Sequence, residues 1–131
     1  MFAIRLDDFE NWLRKYGDAW EKGDPAATET LFTNDARYYE NPFDDPITGL
    51  DEIAKYWKDN ALLDQKEINF SYEALAVHNN VGVAHWRANF IRLSSGKRVT
   101  LDGIFKIVFS NDGKCQIFRE WWHRLEETPS D

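Results

Sequence analysis

Apolar residues recur at helical spacing near the start of the chain and form one stripe. The stripe consists of Phe9, Trp12, Leu13, Tyr16 and Trp20. Asp7 is predicted to cap this helix, with Glu10 as its partner three residues on, and Gly23 to end it. Asp24 and Pro25 then predict a short second helix that runs to about residue 32, because aspartate is a preferred cap and proline a preferred first helical residue.

A short strand, a loop and a third helix are predicted next. Residues 36–40, with the sequence ARYYE, are predicted as a strand that Asn41 and Pro42 stop. The following sequence FDDPITG has the composition of a loop. Leu50, Ile53 and Trp57 mark the apolar face of a third helix, which is expected to end near residue 60.

Beyond residue 60 the apolar period changes from that of a helix to two. Residues 68–77, 81–93, 98–109 and 115–125 are predicted as strands, separated by the turn-forming sequences NN, SSG and NDG. Residues 126–131 are predicted to be a frayed tail. Helices followed by an antiparallel meander predict a single α+β domain, with the helices on one face of the sheet. The other face still carries apolar residues, which favours a contact between subunits.

The composition narrows the class of protein. Hydrophobic residues make up 43% of the 131 residues and aromatic residues 15%, which argues against disorder and favours a core or cavity rich in rings. The net charge of −7 opposes a nucleic-acid or anionic-membrane partner, since phosphate binding requires clustered lysine and arginine. The single cysteine, Cys115, excludes an internal disulfide and fits a reducing compartment. Without an apolar run of membrane-spanning length, a cytoplasmic protein is expected.

Metal and cofactor sites are not predicted. His78, His85 and His123 lie on different predicted elements, and no two of them have the spacing of metal ligands. Cys115 follows a predicted turn without a neighbouring base, which is typical of a small packing residue. The chain has no glycine-rich phosphate loop, so no nucleotide cofactor is expected.

The order of the segments resembles the nuclear transport factor 2-like superfamily, and specifically its SnoaL-like branch. The segments are KGD after the first helix, a short helix ending in LF, then DARYY, a proline loop, TGLDEIAKYW and LDGIFKIVFSNDGKCQIFREWW. The resemblance covers residues 5–123. It implies a cone-shaped half-barrel, in which a strongly curved mixed or antiparallel sheet wraps around three helices and one internal pocket. Members commonly dimerise through the outer face of the sheet. They include ketosteroid isomerases, polyketide cyclases, dehydratases and binding domains without enzymatic activity, so the resemblance does not imply one reaction.

The resemblance places three catalytic positions on this chain. In the ketosteroid isomerases a tyrosine and a protonated acid stabilise a developing oxyanion while an aspartate acts as the base. The tyrosine position falls on Tyr16, and the base position on Glu40 or Asn41, depending on how the segment is aligned. The protonated acid is replaced by Phe105, which argues against ketosteroid isomerase activity. Asp102 lies three residues earlier. It points outward in a regular strand, where an arginine would pair with it, unless a bulge at the glycine that follows turns it inward.

The segment FREWWH has two faces if it forms a strand, because neighbouring side chains point in opposite directions. The family alignment turns one face into the cone and the other outward: Phe118, Glu120 and Trp122 inward, and Arg119, Trp121 and His123 outward. An acid among rings must be hydrogen-bonded, paired or protonated. Glu120 is therefore either a proton donor or a structural acid bonded to a pocket tyrosine or to water.

Together these observations predict an aromatic pocket for a flat or cyclic apolar molecule that bears a carbonyl or hydroxyl group. The expected lining is Trp12, Tyr16, Trp20, Tyr38, Trp57, Trp86, Phe90 and Trp122, with Asn41 and Phe105 as further ligand contacts and Glu40 and Glu120 as polar groups. The expected dimer contacts are Arg87, Arg119, Trp121 and His123. Three hypotheses remain open: cofactor-independent isomerisation, cyclisation or dehydration, with Glu40 as the base and Tyr16 or Glu120 as the donor; ligand binding without turnover; and a dimerisation domain with a filled core.

Overall fold

The computed structural model describes residues 3–128. The helical elements are α1 (Leu6–Lys22), a 3₁₀ turn (Pro25–Ala27), α2 (Thr28–Leu31) and α3 (Leu50–Trp57), which continues as a π-helical turn over Lys58–Leu62. The strands are β1 (Phe32–Tyr39), β2 (Ile47–Thr48), β3 (Gln65–His78), β4 (Val81–Arg92), β5 (Arg98–Phe109) and β6 (Cys115–Glu127).

The six strands form one mixed, open sheet in the order β2-β1-β6-β5-β4-β3. Strands β3 to β6 pair as the antiparallel meander that the sequence predicts. Strand β1 lies parallel to β6, which connects the N-terminal half of the chain to the end of the meander. The predicted α+β half-barrel with three helices is therefore confirmed.

The core lies between the helices and the inner face of the sheet, and aromatic rings dominate it. The rings of Tyr38 and Phe118 stack with centroids 4.3 Å apart, and those of Trp86 and Phe105 with centroids 4.8 Å apart. Complete burial of each large side chain contributes about 1.5–3 kcal/mol. Helix α1 packs so closely on β3 that a Cβ atom at Gly17 would lie only 2.5 Å from the Phe70 ring.

The first helix begins earlier than predicted. Arg5 is its N-cap residue, and Asp7 lies inside the first turn instead of capping it. The backbone N–H of Ile4 donates to the carbonyl of Asn79 at 2.8 Å, which holds the chain against the sheet just before the helix starts. Gly23 ends the helix as predicted, with a left-handed φ of 60°. The side chain of Asp24 caps the following turn, also as predicted.

Three other boundaries differ from the prediction. Strand β1 starts at Phe32 instead of residue 36, and the predicted loop contains the short strand β2, which pairs with β1. Strand β6 continues to Glu127, so residues 126 and 127 are paired with β5 instead of frayed. The last part of the predicted tail, residues 129–131, lies outside the described residues.

Two further features concern the chain as a whole. Within residues 3–128, none of the helices combines the length and the apolar character needed to cross a membrane. Cys115 carries a free thiol that is fully buried at the start of β6, as expected for a packing residue.

Candidate functional site

A cavity of about 220 Å³ opens at the end of the sheet where β1 and β4 end and β3 begins. Elements from both halves of the chain build its wall, including α1, β1, α3 with its π-helical turn, and β3 to β6. The lining residues are Tyr16, Trp20, Tyr38, Glu40, Tyr56, Trp57, Asn60, Ala61, Gln65, Phe90, Arg92, Leu101, Glu120, Trp122 and Arg124.

Strand β6 presents different side chains to its two faces. Phe118 is fully buried, and Glu120 is only 7% exposed on the same inner face. Trp122, two residues further on, is half-buried in the cavity wall. Trp121 is 43% exposed on the outer face. The alternation follows the strand parity that the sequence predicts.

Glu120 is an acid in surroundings that disfavour its charge. Burial raises the pKa of its carboxyl group well above the ordinary value, and the negative charge of Glu40 raises it further. An interaction with the Trp122 side chain opposes this increase only in part. The Glu120 carboxyl group therefore holds its proton at pH values at which an ordinary glutamate is ionised, and it can donate that proton inside the cavity.

Three phenols surround the same space. The hydroxyl oxygens of Tyr16 and Tyr38 lie 3.4 Å apart. Burial raises the pKa of both phenols, and the charge that Glu120 carries when ionised raises it further. Tyr56 behaves in the same way, with burial as the main cause and smaller effects from Glu120 and Glu40. All three phenols stay neutral and can donate hydrogen bonds to an oxygen of a bound molecule.

Of the two residues aligned with the family's base position, only Glu40 lines the cavity. It follows directly after β1, and its side chain is exposed at the mouth. The Asn41 side chain instead accepts hydrogen bonds from the backbone N–H groups of Phe43, at 2.8 Å, and Asp44, at 3.2 Å. Asn41 thus shapes the loop and does not contact the cavity.

Three residues expected to contact a ligand lie in the packed core and do not line the cavity. The Trp12 indole N–H donates to the carbonyl of Leu31 at 3.0 Å. Trp86 and Phe105 stack on each other, at exposed fractions of 1% and 0%. Helical spacing and strand parity predict their inward direction correctly. The cavity does not reach them because the aromatic residues there fill the space between helix and sheet.

Seven lining residues were not predicted: Tyr56, Asn60, Ala61, Gln65, Arg92, Leu101 and Arg124. Arg92 follows Phe90 at the inner alternation of β4, and Arg124 follows Trp122 in the same way on β6. The alternation that found the aromatic residues therefore also contained the two arginines. Gln65 accepts a hydrogen bond from the Trp20 indole N–H at 2.8 Å, a contact between residues 45 positions apart that no local pattern reveals.

Asp102 lies on the outer face, because β5 pairs with both neighbours without a register shift around Gly103. Its carboxylate lies 2.9 Å from Nε2 of His85 and 3.6 Å from Nε of Arg87. His123 is directly opposite on β6. The expected arginine partner is therefore present, and Asp102 takes no part in the cavity.

The comparisons with known proteins agree with this architecture. Residues 13–117 match the family model described as SnoaL-like domain. The structure of SalBIII is similar, with a TM-score of 0.73 and 17% identity over 89% of this chain and 88% of that chain. SalBIII is described as an epoxide hydrolase/cyclase-like enzyme with a role in pyran ring formation in the polyether salinomycin. TsrD from Streptomyces laurentii is also similar, with a TM-score of 0.76 and 14% identity over 91% and 90% of the two chains. At these identities the likeness shows the fold alone. No curated protein sequence matches this chain significantly.

Proposed function

The chain belongs to the SnoaL-like domain family, and we propose that its cavity binds a small cyclic molecule and converts it by transferring protons between the molecule and cavity side chains. The observation that carries the proposal is the buried, proton-holding Glu120 in a cavity that also exposes a second carboxylate, Glu40. A buried carboxyl group that holds its proton suits the role of the acid, and a carboxylate in contact with solvent suits the role of the base. Tyr16 and Tyr38 orient the reacting oxygen.

The reaction class that best fits this pair is formation of a ring by an internal hydroxyl group. Glu40 takes the proton of the attacking hydroxyl as its oxygen forms a bond to an electrophilic carbon. The bond from that carbon to an epoxide oxygen breaks, and Glu120 gives a proton to this oxygen, which stays attached to the neighbouring carbon. The product is an isomer of the substrate, and the proton returns from Glu40 to Glu120 through solvent at the mouth. The description of SalBIII as epoxide hydrolase/cyclase-like supports this class.

The size of the cavity limits the substrate. Pockets for drug-sized ligands measure roughly 300–1,000 Å³, and this cavity measures about 220 Å³. A single ring with short substituents fits inside, and a larger molecule would extend through the mouth. Because this space is not filled by side chains, a purely structural role for the domain is less well supported.

A short-chain γ-hydroxy-epoxide tests the proposal, with the cyclic ether measured by gas chromatography and mass spectrometry. General acid–base groups typically contribute about 10²- to 10⁴-fold, so Glu120→Gln and Glu40→Gln should each lower the rate by that amount. Glu10→Gln, exposed on α1, is the matched control and should leave the rate unchanged. Equal rates for the wild type, both cavity variants and buffer would contradict turnover of this kind.

Ligand binding without turnover is the second candidate, and one observation favours it. Glu40 is exposed to solvent, whereas a general base gains strength when it is removed from water. In that case the phenols and Glu120 only orient the ligand, and replacing Glu40 lowers the affinity for the ligand only modestly. Native mass spectrometry of the purified protein would then show a bound small molecule whose mass does not change when the complex is incubated.

We also propose that a second copy of this chain covers the outer face of the sheet. Trp121 is 43% exposed and Leu125 57% exposed on this face of β6. Beside them, Asp102 and Arg87 form an exposed polar pair on β5 and β4. A central tryptophan flanked by polar groups is typical of an interface between subunits.

A further inference from the structure

We propose that the molecule bound in the cavity carries a carboxylate, which Arg92 and Arg124 bind at the mouth while its ring lies against Glu120 and the tyrosines. The inference rests on the proposed use of the cavity and adds the chemical class of the ligand. It adds a charged group to the expected ligand, a flat or cyclic apolar molecule with a carbonyl or hydroxyl group, because that expectation took no account of the two arginines.

The first support is the distribution of charge. The whole chain carries a net charge of −7, yet two arginines and two glutamates line the cavity. Burial keeps the Glu120 carboxyl group protonated, so the wall presents two positive side chains and the single negative charge of Glu40. Asp64 and Glu126 pair with these two arginines, so the wall has no excess of positive charge, but its two guanidinium groups are hydrogen-bond donors that suit an anionic ligand.

The second support is the way in which Arg92 is held. Its guanidinium carbon lies 5.6 Å from the centre of the Phe90 ring, and its Nη1 lies 3.4 Å from Oδ2 of Asp64. Asp64 is itself fixed by the backbone N–H of Ser94 at 2.9 Å and by the Ser94 hydroxyl at 3.2 Å. The contact with Asp64 uses one of the guanidinium nitrogens, and a guanidinium has five N–H donors. Arg92 is therefore held in place with donors left for a ligand.

Arg124 reaches the same mouth from the other side of β5. It lies opposite Leu101 in the sheet, and its Nε is 3.4 Å from Oε1 of Glu126. That contact leaves both terminal nitrogens to other partners. Among the ion pairs of residues 3–128, none joins either arginine to Glu40 or Glu120, so neither guanidinium group is occupied by an acid of the cavity wall.

A carboxylate fits this site better than a phosphate. It is planar and singly charged, and guanidinium groups bind its two oxygens with strong, directional hydrogen bonds. Because Asp64 and Glu126 already pair with the two arginines, the charge left over at the mouth is that of Glu40, which repels a doubly charged phosphate about twice as strongly as a carboxylate at the same distance. Glu40 therefore selects against the higher charge.

The test compares two flat probes that differ only in charge, trans-cinnamate and its uncharged amide, trans-cinnamamide. Binding is followed by NMR through the indole N–H signals of Trp20, Trp57 and Trp122, which line the cavity. Cinnamate should bind about tenfold more tightly than the amide, and less so at high salt. Arg92→Gln and Arg124→Gln should each remove most of that preference and leave the affinity for the amide within about twofold.

Arg98→Gln is the matched control, because Arg98 lies near the same end of the sheet, pairs with Glu67 and does not line the cavity. It should leave both affinities unchanged.

Equal binding of acid and amide, or equal losses for both in the two arginine variants, would overturn this inference and leave the cavity a binding site. Tighter binding of phenyl phosphate than of cinnamate would also overturn it. Failure of both probes to bind would overturn this inference, whereas the proposed function is overturned only by the hydroxy-epoxide assay. If Arg92→Gln does not fold, the inference is tested by Arg124→Gln and by the affinities of the wild-type protein for cinnamate and cinnamamide.

Discussion

The side chains of Glu40 and Glu120 face the same cavity from adjacent parallel strands, but only Glu120 is buried. Tyr39 is paired with Arg119, so the next residue along each strand is a glutamate. The charge on Glu40 adds to the effect of burial and raises the pKa of Glu120. Because the two glutamates follow paired residues, they lie side by side in the cavity, Glu120 as an acid that keeps its proton and Glu40 as a carboxylate in contact with solvent.

The burial of Glu120 predicts how stability depends on pH. The folded state binds this proton more tightly than the unfolded state, so the contribution of Glu120 to the free energy of unfolding is highest below about pH 4.5, the ordinary value, and falls as the pH rises towards the folded-state pKa. Glu120→Gln lacks this loss. Its stability relative to wild type should rise across that window by up to about 1.4 kcal/mol per pH unit. Urea denaturation at a series of pH values measures the difference, and a constant difference would contradict the buried, protonated state.

Removing one phenol from the cavity should weaken ligand binding or turnover without unfolding the protein. Tyr38→Phe deletes a buried hydroxyl that lies 3.4 Å from that of Tyr16. One hydrogen bond contributes about 1–1.5 kcal/mol, so affinity or rate should fall about tenfold. Tyr39→Phe, at the neighbouring position outside the cavity, is the control and should have no effect. Equal losses in both variants would show that the phenol acts through packing.

Two glycine-to-alanine substitutions compare a clash with the backbone at Gly103 and a clash with a side chain at Gly17. A Cβ atom at Gly103 would lie 2.1 Å from the carbonyl oxygen of Trp121, whereas at Gly17 it would meet the Phe70 ring at 2.5 Å. A ring can turn away, but the backbone of β6 cannot move without breaking its ladder. Gly103→Ala should cost about 3 kcal/mol and Gly17→Ala about 1 kcal/mol or less, since alanine also favours the helix. Thermal denaturation compares them, and the reverse order would contradict the close packing of β5 and β6.

The exposed tryptophan on the outer face predicts a dimer that one substitution disrupts. Trp121→Ser should convert the dimer to a monomer in size-exclusion chromatography with light scattering, because a central tryptophan commonly contributes 2 kcal/mol or more, to an order of magnitude, to such an interface. Phe43→Ser is the control: Phe43 is 94% exposed on the loop after β1, away from that face. A wild-type protein that remains monomeric at high concentration would contradict the proposed interface.

The sequence predicted the fold where local patterns decide it. The alternation in β4, β5 and β6 gave both the strands and the two faces of FREWWH, and the glycine after the first helix gave its end. The short strand β2 and the parallel pairing of β1 with β6 were not foreseen, because each depends on contacts between segments distant in the chain.

The cavity was predicted only in part for a related reason. Periodicity tells which side chains share a face, and the family resemblance tells which face points inward; together they found Tyr16, Glu120 and Trp122. It does not tell where inward side chains fill the space and where they leave it open. Trp86 and Phe105 therefore fell in the packed part, and Arg92, at the open end of the same strand as Trp86, was overlooked.

The most direct test of the account is the titration of the Glu120 carboxyl group itself. Carbon-13 NMR of protein labelled at the glutamate side chains, with the signal assigned through Glu120→Gln, gives its pKa in the folded protein. The midpoint should lie well above about 4.5, the ordinary value, and it should be lower in Glu40→Gln, where the like charge is gone. A midpoint at or below the ordinary value would contradict the buried acid on which the proposed chemistry depends.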